Sequence, residues 1–282
     1  MKRIHFEDVE KLIRLALEED LDGGDITSRA IFPQESRSLA RIFSKEDGVF
    51  CGADMIGYVY GMISGKVRVD SVLHDGINVV SGDEVACLSG PTIALLEGER
   101  IVLNFLQRMS GIATRTYSMV KLLDGTGIKL LDTRKTVPGF RLLDKYAVAV
   151  GGGVNHRMGL YDMVMIKDNH IEAAGSIPRA IEMVRKEHGG RYRVEVEAST
   201  VEEAGLAADN GADIIMLDNM TSDMMEEAVS IIAGRAGIEV SGNMDEDKIR
   251  SLKKLDVDFV SAGVLTHSVR AFDLSMKFTR VK

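Results

Sequence analysis

Tryptophan is absent from this chain, and cysteine, proline and aromatic residues are scarce: two Cys, four Pro and 5% Phe, Trp and Tyr among 282 residues. Cys51 and Cys87 cannot build a disulfide framework or, unaided, a thiolate zinc site; they suit a reducing cytoplasm as buried thiols. No apolar run approaches the ~20 residues that span a bilayer. The stretch Met1–Leu21 breaks its apolar residues with Lys, Arg, Glu and Asp, so Val9, Leu12, Ile13, Ala16 and Leu17 recur at amphipathic-helix spacing and form no signal-peptide core. A basic excess is also missing. The formal charge is -8, which excludes the extended cationic face that nucleic-acid binding needs. With 45% hydrophobic residues, the chain can bury a sizeable core and is long enough for two domains.

Two regimes of pattern follow one another. Ser38 to Gly90 reads as short strands with turn punctuation, at Ala40–Ser44, Val67–Leu73 and Glu84–Leu88. Pro91 then opens a long apolar-periodic run, Leu95 to Leu123, read as one or two helices marked by Gly98 and Gly111. After residue 127 strands alternate with helices. Apolar runs at Ile128–Leu131, Met163–Ile166, Val194–Val196, Ile214–Leu217, Ile238–Val240 and Phe259–Val260 each end at a polar or glycine-containing cluster. Helical segments such as Ser176–Glu187, Val201–Asn210 and Asp223–Ala233 follow several of them. The later units recur at intervals of 21, 24 and 21 residues, from Glu197 to Asp218 to Gly242 to Gly263. A strand, a return helix and two turns need about that length. Such crossovers close into a parallel α/β barrel or wind an open sheet, and in both the ligand rim lies at the strand C-termini.

That rim carries the chemistry. Arg134, Lys135, His156, Arg157, Lys167 and His170 gather six anion-seeking side chains in an otherwise acidic chain. Arg134 and Arg157 can fork onto carboxylates, while Lys135 and Lys167 act as movable point charges. His170 reads as structural, a cap on the segment that follows. Glu197 and Asp218 end neighbouring strands; two such carboxylates suit a magnesium–diphosphate or a ribose diol, because magnesium takes few protein ligands beside substrate phosphates. Glu195 shares the strand of Glu197 and joins it at the rim only if the strand bends; Glu197, the last polar residue before the turn, is preferred. Ser241-Gly242-Asn243 and Ala262-Gly263 end the last two strands, where backbone N–H groups can hold a phosphate. A dicarboxylate site, a metal–diphosphate site and a phosphate site together describe transfer of a phosphoribosyl group to a small aromatic acid. A Schiff-base aldolase remains open, since Lys135 and Lys167 both end strands, as does a non-catalytic phosphate sensor.

Ordered motifs narrow this. Glu19-Asp-Leu-Asp-Gly-Gly-Asp-Ile-Thr27, Glu99-Arg-Ile-Val-Leu-Asn-Phe-Leu-Gln-Arg-Met-Ser-Gly-Ile-Ala-Thr114 and Asp132-Thr-Arg-Lys-Thr136 come first. Lys145-Tyr-Ala-Val148, Gly151-Gly-Gly-Val-Asn-His-Arg157, Ile166-Lys-Asp-Asn-His170, Leu217-Asp-Asn219, Ser241-Gly242 and Leu265-Thr-His-Ser268 follow. Over nearly its full length the chain resembles the quinolinate phosphoribosyltransferases, departing from their usual pattern at Val137 and Ala149. The resemblance implies an N-terminal open-faced α/β sandwich with a connecting helix over 1–110. It implies an irregular parallel α/β barrel over 111–282, whose last segment can pack back on the first domain. It also implies a cytoplasmic homodimer, or a higher assembly, with shared sites and no nucleic-acid or membrane partner. Arg134, Lys135, His156, Arg157 and Lys167 would surround quinolinate, with Arg100 entering from the neighbouring subunit. Glu197 and Asp218 would serve the ribose and Mg2+, directly or through diphosphate or water. Ser241, Gly242 and Gly263 would hold the 5′-phosphate of 5-phosphoribosyl-1-diphosphate. Lys135, Lys167, Glu197 and Asp218 would be catalytic, and the products nicotinate mononucleotide, diphosphate and CO2 would feed NAD biosynthesis. A related phosphoribosyltransferase paralogue acting on another substrate is the near alternative, against which the complete Ile166–His170 segment argues.

Overall fold

The computed structural model describes residues 4–281, so the Met1–Arg3 start of the expected first helix lies outside it. In chain order come α1 (Phe6–Leu21), α2 (Ile26–Ile31), β1 (Arg37–Ser44), β2 (Gly48–Val49), α3 (Ala53–Ile63), β3 (Arg68–Val72), β4 (Asn78–Val79), β5 (Glu84–Pro91) and α4 (Thr92–Leu122). Next are β6 (Lys129–Leu131), α5 (Arg141–Val150), β7 (Val164–Ile166), α6 (Asp168–Ala174), α7 (Ile177–His188), β8 (Val194–Ala198), α8 (Val201–Asp209) and β9 (Ile214–Asp218). The chain ends with α9 (Ser222–Ile232), β10 (Gly237–Ser241), α10 (Glu246–Ser251), β11 (Phe259–Ser261), α11 (Val264–His267) and β12 (Leu274–Arg280). Among the described residues no helix is long and apolar enough to cross a membrane.

Two compact units divide the chain. The first takes the residues up to Tyr117, with Val137–Gly152 and the segment from Val269 onward. Its sheet runs β12-β1-β5-β3, and β1 pairs antiparallel with both β5 and β12, Ser38 lying opposite Arg280. Alternation along β1 buries Ala40 and Ile42 and exposes Arg41, as a one-sided sheet requires. Helix α3 brings Met55, Ile56, Val59 and Tyr60 into this core. The sequence pattern had suggested only strands here. Gly57 and Gly61 weaken the helical signal, and the cap comes from far along the chain: Asp75 Oδ1 accepts from the amides of Gly52 and Ala53 at 2.8 and 2.9 Å.

Helix α4 is one uninterrupted element of 31 residues. Its glycines mark close approach, not a break. A Cβ at Gly98 would sit 2.3 Å from the Tyr60 ring, and one at Gly111 would sit 2.2 Å from the Arg270 carbonyl oxygen. Tyr60 itself donates to the Leu95 carbonyl at 2.8 Å.

The second unit holds residues 118–136 and 153–268. Its six strands are parallel in the order β6-β11-β10-β9-β8-β7. The crossover helices α7, α8, α9 and α10 begin at Ser176, Thr200, Thr221 and Asp245, whose side chains accept from the first-turn amides. This is the expected α/β barrel in an irregular form. Strand pairing stays open between β6 and β7, and a single parallel bridge from Leu131 to Val154 extends the β6 side. That bridge carries the chain from Val154 into Asn155, His156 and Arg157 beside the strand ends.

Candidate active site

Side-chain alternation decides what faces inward from the barrel strands. Register aligns Glu197 with Met216, Met216 with Glu239, and Asp218 with Ser241. Neighbours at one level of a parallel sheet point to the same side, so these residues share the inner face. They line one cleft of about 430 Å³ together with Arg134, Lys135, Arg157 and Lys167. Its size lies within the range of small-ligand sites. Gly263, Ser241 and Gly242 line the same cleft, and so do Asn219 and His267, which the sequence motifs contained without a role, and Ser261, which sequence reasoning passed over. Arg100 lies in the other unit, exposed on α4.

Each group is held by its local backbone. Lys167 precedes α6, and its amide donates to His170 Nδ1 at 3.0 Å, so His170 caps that helix. The Lys167 ammonium is ion-paired with Glu197, which lies two strand positions beyond Glu195 on β8. Asp218 accepts from the Asn219 side chain at 2.7 Å, and Asn219 adopts a positive φ of 55°. A Cβ at Gly242, where φ is 112°, would fall 2.3 Å from Asn219 Oδ1. Only glycine lets these two turns meet. Lys135 is anchored by its carbonyl, which accepts from Thr266 Oγ1 at 2.8 Å.

Three cleft residues have buried polar atoms without hydrogen-bond partners among the described residues: Arg134 at Nε, Ser261 at Oγ and Glu239 at both carboxylate oxygens. Unmet buried polarity of this kind costs stability unless a ligand meets it. Burial and then the charge of Arg134 lower the Arg157 pKa from its ordinary value. Cations crowded this way favour an anion of more than one charge.

His156 sits deeper than expected. Its amide donates to Asp132 Oδ1 at 2.8 Å, and Asn155 donates to Asp132 Oδ2 at 2.7 Å. Asp132 has no exposed surface, and local sequence gave no sign that it grips this segment. His156 Nε2 lies 3.0 Å from Glu195 Oε2 and 3.5 Å from Glu239 Oε2. Glu195 therefore shares the inner face with Glu197 without any strand bend, because residues two apart on a strand face alike. Burial disfavours a charged imidazole, but hydrogen bonds and charge from Glu195 and Glu239 override it and raise the His156 pKa to about 9. Against that, the Arg157 amide lies 2.7 Å from Nδ1 and donates to it in the neutral ring. Burial raises the pKa of Glu195, and His156 partly offsets this.

Glu197 and Asp218 fit magnesium only in part. They face one cleft, while the described residues bring three potential metal ligands together at His156, Glu195 and Glu239. Two carboxylates form no cage, so the remaining oxygens would have to come from a substrate diphosphate or water.

Comparison with known proteins decides the family. The quinolinate phosphoribosyl transferase N-terminal domain matches residues 25–110, and the C-terminal domain of the same family matches residues 112–277. The chain belongs to the quinolinate phosphoribosyltransferase family. A Bacillus subtilis protein named probable nicotinate-nucleotide pyrophosphorylase (carboxylating) is 44% identical over 273 residues, covering 96% of this chain and 93% of its own. A mitochondrial quinolinate phosphoribosyltransferase (decarboxylating) of Nicotiana tabacum is 40% identical over 289 residues, covering 96% of this chain and 82% of its own. Among solved structures, NadC from Streptococcus pyogenes superimposes with a TM-score of 0.97 at 41% identity, covering 100% of both chains. Within this family, the cationic cleft and its facing carboxylates are the candidate catalytic centre.

Proposed function

We propose that this chain is a decarboxylating quinolinate phosphoribosyltransferase of NAD biosynthesis, acting on quinolinate and 5-phosphoribosyl-1-diphosphate. The observation that carries the reading is the opposition, in one cleft, of Arg134, Lys135, Arg157 and Lys167 to Glu197 and Asp218. Adjacent carboxylates on an aromatic ring would occupy the cationic side, with the unmet Arg134 Nε among the donors. Each charge-assisted hydrogen bond contributes ~1.5–3 kcal/mol, so three or four support micromolar binding after ordering costs.

The ring nitrogen attacks the anomeric carbon as diphosphate leaves. Glu197 and Asp218 offset the positive charge that develops on the ribose, and Lys135 holds the departing diphosphate. Magnesium, when bound with the diphosphate at Glu197 and Asp218, supplies further neutralising charge. Lys167 and Glu197 pair with each other, so a ligand carboxylate that draws Lys167 away frees Glu197 for the ribose. Ser241, Gly242 and Gly263 receive the 5′-phosphate, with Ser261 Oγ a further donor beside them. Loss of CO2 from the 2-position follows: the C–C electron pair stays on C2 as an ylide stabilised by the adjacent cationic ring nitrogen, and C2 then takes a proton from water. No side chain acts as a nucleophile; positioning and electrostatics carry the rate. A Schiff-base aldolase fits less well, because Lys167 stands in an ion pair and not in the apolar setting that yields a nucleophilic amine.

The active form under this reading is a cytoplasmic homodimer in which Arg100 completes the neighbouring subunit's site. Two unpaired cysteines, Cys51 and Cys87, suit that compartment. The deciding measurement is diphosphate release with quinolinate against nicotinate as acceptor, with CO2 followed for quinolinate, in chelator and after magnesium is restored. Release from quinolinate alone, and only with magnesium, is expected. Equal use of nicotinate, or full activity in chelator, would overturn the substrate or the metal assignment respectively.

A further inference from the structure

Two glutamates that the reaction above does not use meet beneath the cationic cleft. Glu195 on β8 and Glu239 on β10 have no exposed surface, and neither carboxylate has a well-aligned hydrogen-bond donor among the described residues; both lie within ion-pair distance of the His156 imidazole. The two strands flank β9, so the acids reach the same ring nitrogen from either side of one inner face. Buried carboxylates with so few donors are costly. The fold does not require them there, since Ile214 fills the position beside Glu195 in register. What they hold is informative. His156 lies in a segment gripped at its backbone by Asp132, and Arg157 follows, its guanidinium donating to the Met163 carbonyl at 3.2 Å.

We infer that Glu195 and Glu239 are positioning residues for the diacid: by clamping His156 at Nε2 they fix the Asn155-His156-Arg157 segment and aim Arg157 into the cleft. The identity of the ligand rests on the proposed function; the clamp rests on geometry. One consequence is specific. Nε2 faces the acids and Nδ1 faces the Arg157 amide, so His156, although it lines the cleft, is held at both ring nitrogens and fixes the segment that carries Arg157.

The test uses two substitutions at one position in the full-length protein. Glu239→Gln keeps an acceptor oxygen for Nε2, and Glu239→Leu keeps volume without one. Quinolinate affinity by calorimetry, the KM of each substrate, thermal melting and the 15N NMR signals of the His156 ring are compared with wild type. Glu239→Leu should weaken quinolinate at least tenfold while the KM for phosphoribosyl diphosphate changes less than twofold; Glu239→Gln should recover most of the loss. At alkaline pH, where the ring is neutral, it should carry its proton on Nε2 in wild type and lose that preference in Glu239→Leu. Unchanged quinolinate affinity, or equal loss of both substrates with a lowered melting temperature, would sink the positioning role. If Glu239→Leu does not fold, Glu239→Gln decides, through quinolinate affinity and the ring signals together. A wild-type protein that neither binds nor uses quinolinate defeats the proposed function, and the NMR arm still tests the clamp. The three ligand atoms lie within 4.8 Å of one another, so stoichiometric zinc or manganese in purified wild type, absent from Glu239→Gln, would replace the clamp by a metal site.

Discussion

Asp144 in the first unit and Glu195 and Glu239 in the second are carboxylates with no exposed surface, yet their company differs. Asp144 accepts two hydrogen bonds from one edge of a guanidinium, Arg108 Nε at 2.8 Å and Nη2 at 2.7 Å, with the same guanidinium 5.5 Å from the centre of the Phe140 ring. Glu195 and Glu239 share one imidazole. Burial raises the pKa of Asp144 and of Glu195 alike, but only Asp144 meets a charge-matched partner of ideal fork geometry. A fully paired buried acid holds a fold together. Acids that outnumber their donors, set against a cationic cleft, hold a site ready.

The strongest challenge to this division comes from Arg100, a residue of the first unit assigned to chemistry. Arg100→Ala and Lys167→Ala homodimers should each be nearly inactive. A mixed dimer of the two keeps one intact site, so random subunit exchange should restore about a quarter of wild-type activity. Proven exchange without recovery would return Arg100 to its own subunit and leave the first unit purely structural.

Next in size is the fork itself. Arg108→Ala should cost ~3–5 kcal/mol of unfolding free energy, at the lower end because Arg108 is partly exposed, since a buried charge loses its partner. Denaturant melts measure this. Replacing both partners, with Arg108→Met and Asp144→Leu, should recover most of the loss; a double variant no better than the single one would deny that the pair is structural.

Arg134→Ala should reverse the pattern, lowering kcat/KM for quinolinate about a hundredfold, ~3 kcal/mol, with little change in melting temperature. Arg134→Lys should recover only part, because a point charge cannot reproduce the fork. Wild-type kinetics in Arg134→Ala would remove it from the site.

The smallest effect belongs to Asp25, which caps α2 by accepting from Thr27 and Ser28 amides at 2.9 and 3.0 Å. Its hydrogen bonds to Ser28 hold the carboxyl below its ordinary value. A lowered folded pKa means the stabilisation is present above the unfolded value and fades as pH falls through the folded one. Asp25→Ala should therefore cost ~1 kcal/mol at neutral pH, and the two melting curves should converge in acid. A difference that persists at low pH would assign the effect to something other than the charged cap.

How much could be read in advance follows from distance along the chain. Lys167, Glu197, Asp218, Ser241 and Gly263 stand at strand ends whose apolar runs immediately precede them, so local pattern was enough to place them at one rim. Helices α7, α8 and α9 were legible because their Ser and Thr caps adjoin their apolar periodicity. Strict alternation alone also puts Glu195 on the face of Glu197, a signal that was present and under-used. Helix α3 was hidden, because its cap is supplied by Asp75, 22 residues beyond Ala53. The glycines of α4 looked like breaks until Tyr60 and the Arg270 carbonyl were seen against them.

Sequence by itself determined the alternating strands and helices of the second unit, the rim residues, and through ordered motifs the family. These depend on period, caps and spacing, which are local. Family resemblance allowed the last segment to pack back on the first domain, but tertiary structure alone decided that it does so as β12 beside β1, that Asp132 grips Asn155 and His156, and that Glu195 and Glu239 converge on one imidazole. The physical reason is that burial and pairing are properties of neighbours in space. A glutamate in a strand reads the same whether it meets water, an arginine fork or half of a shared histidine.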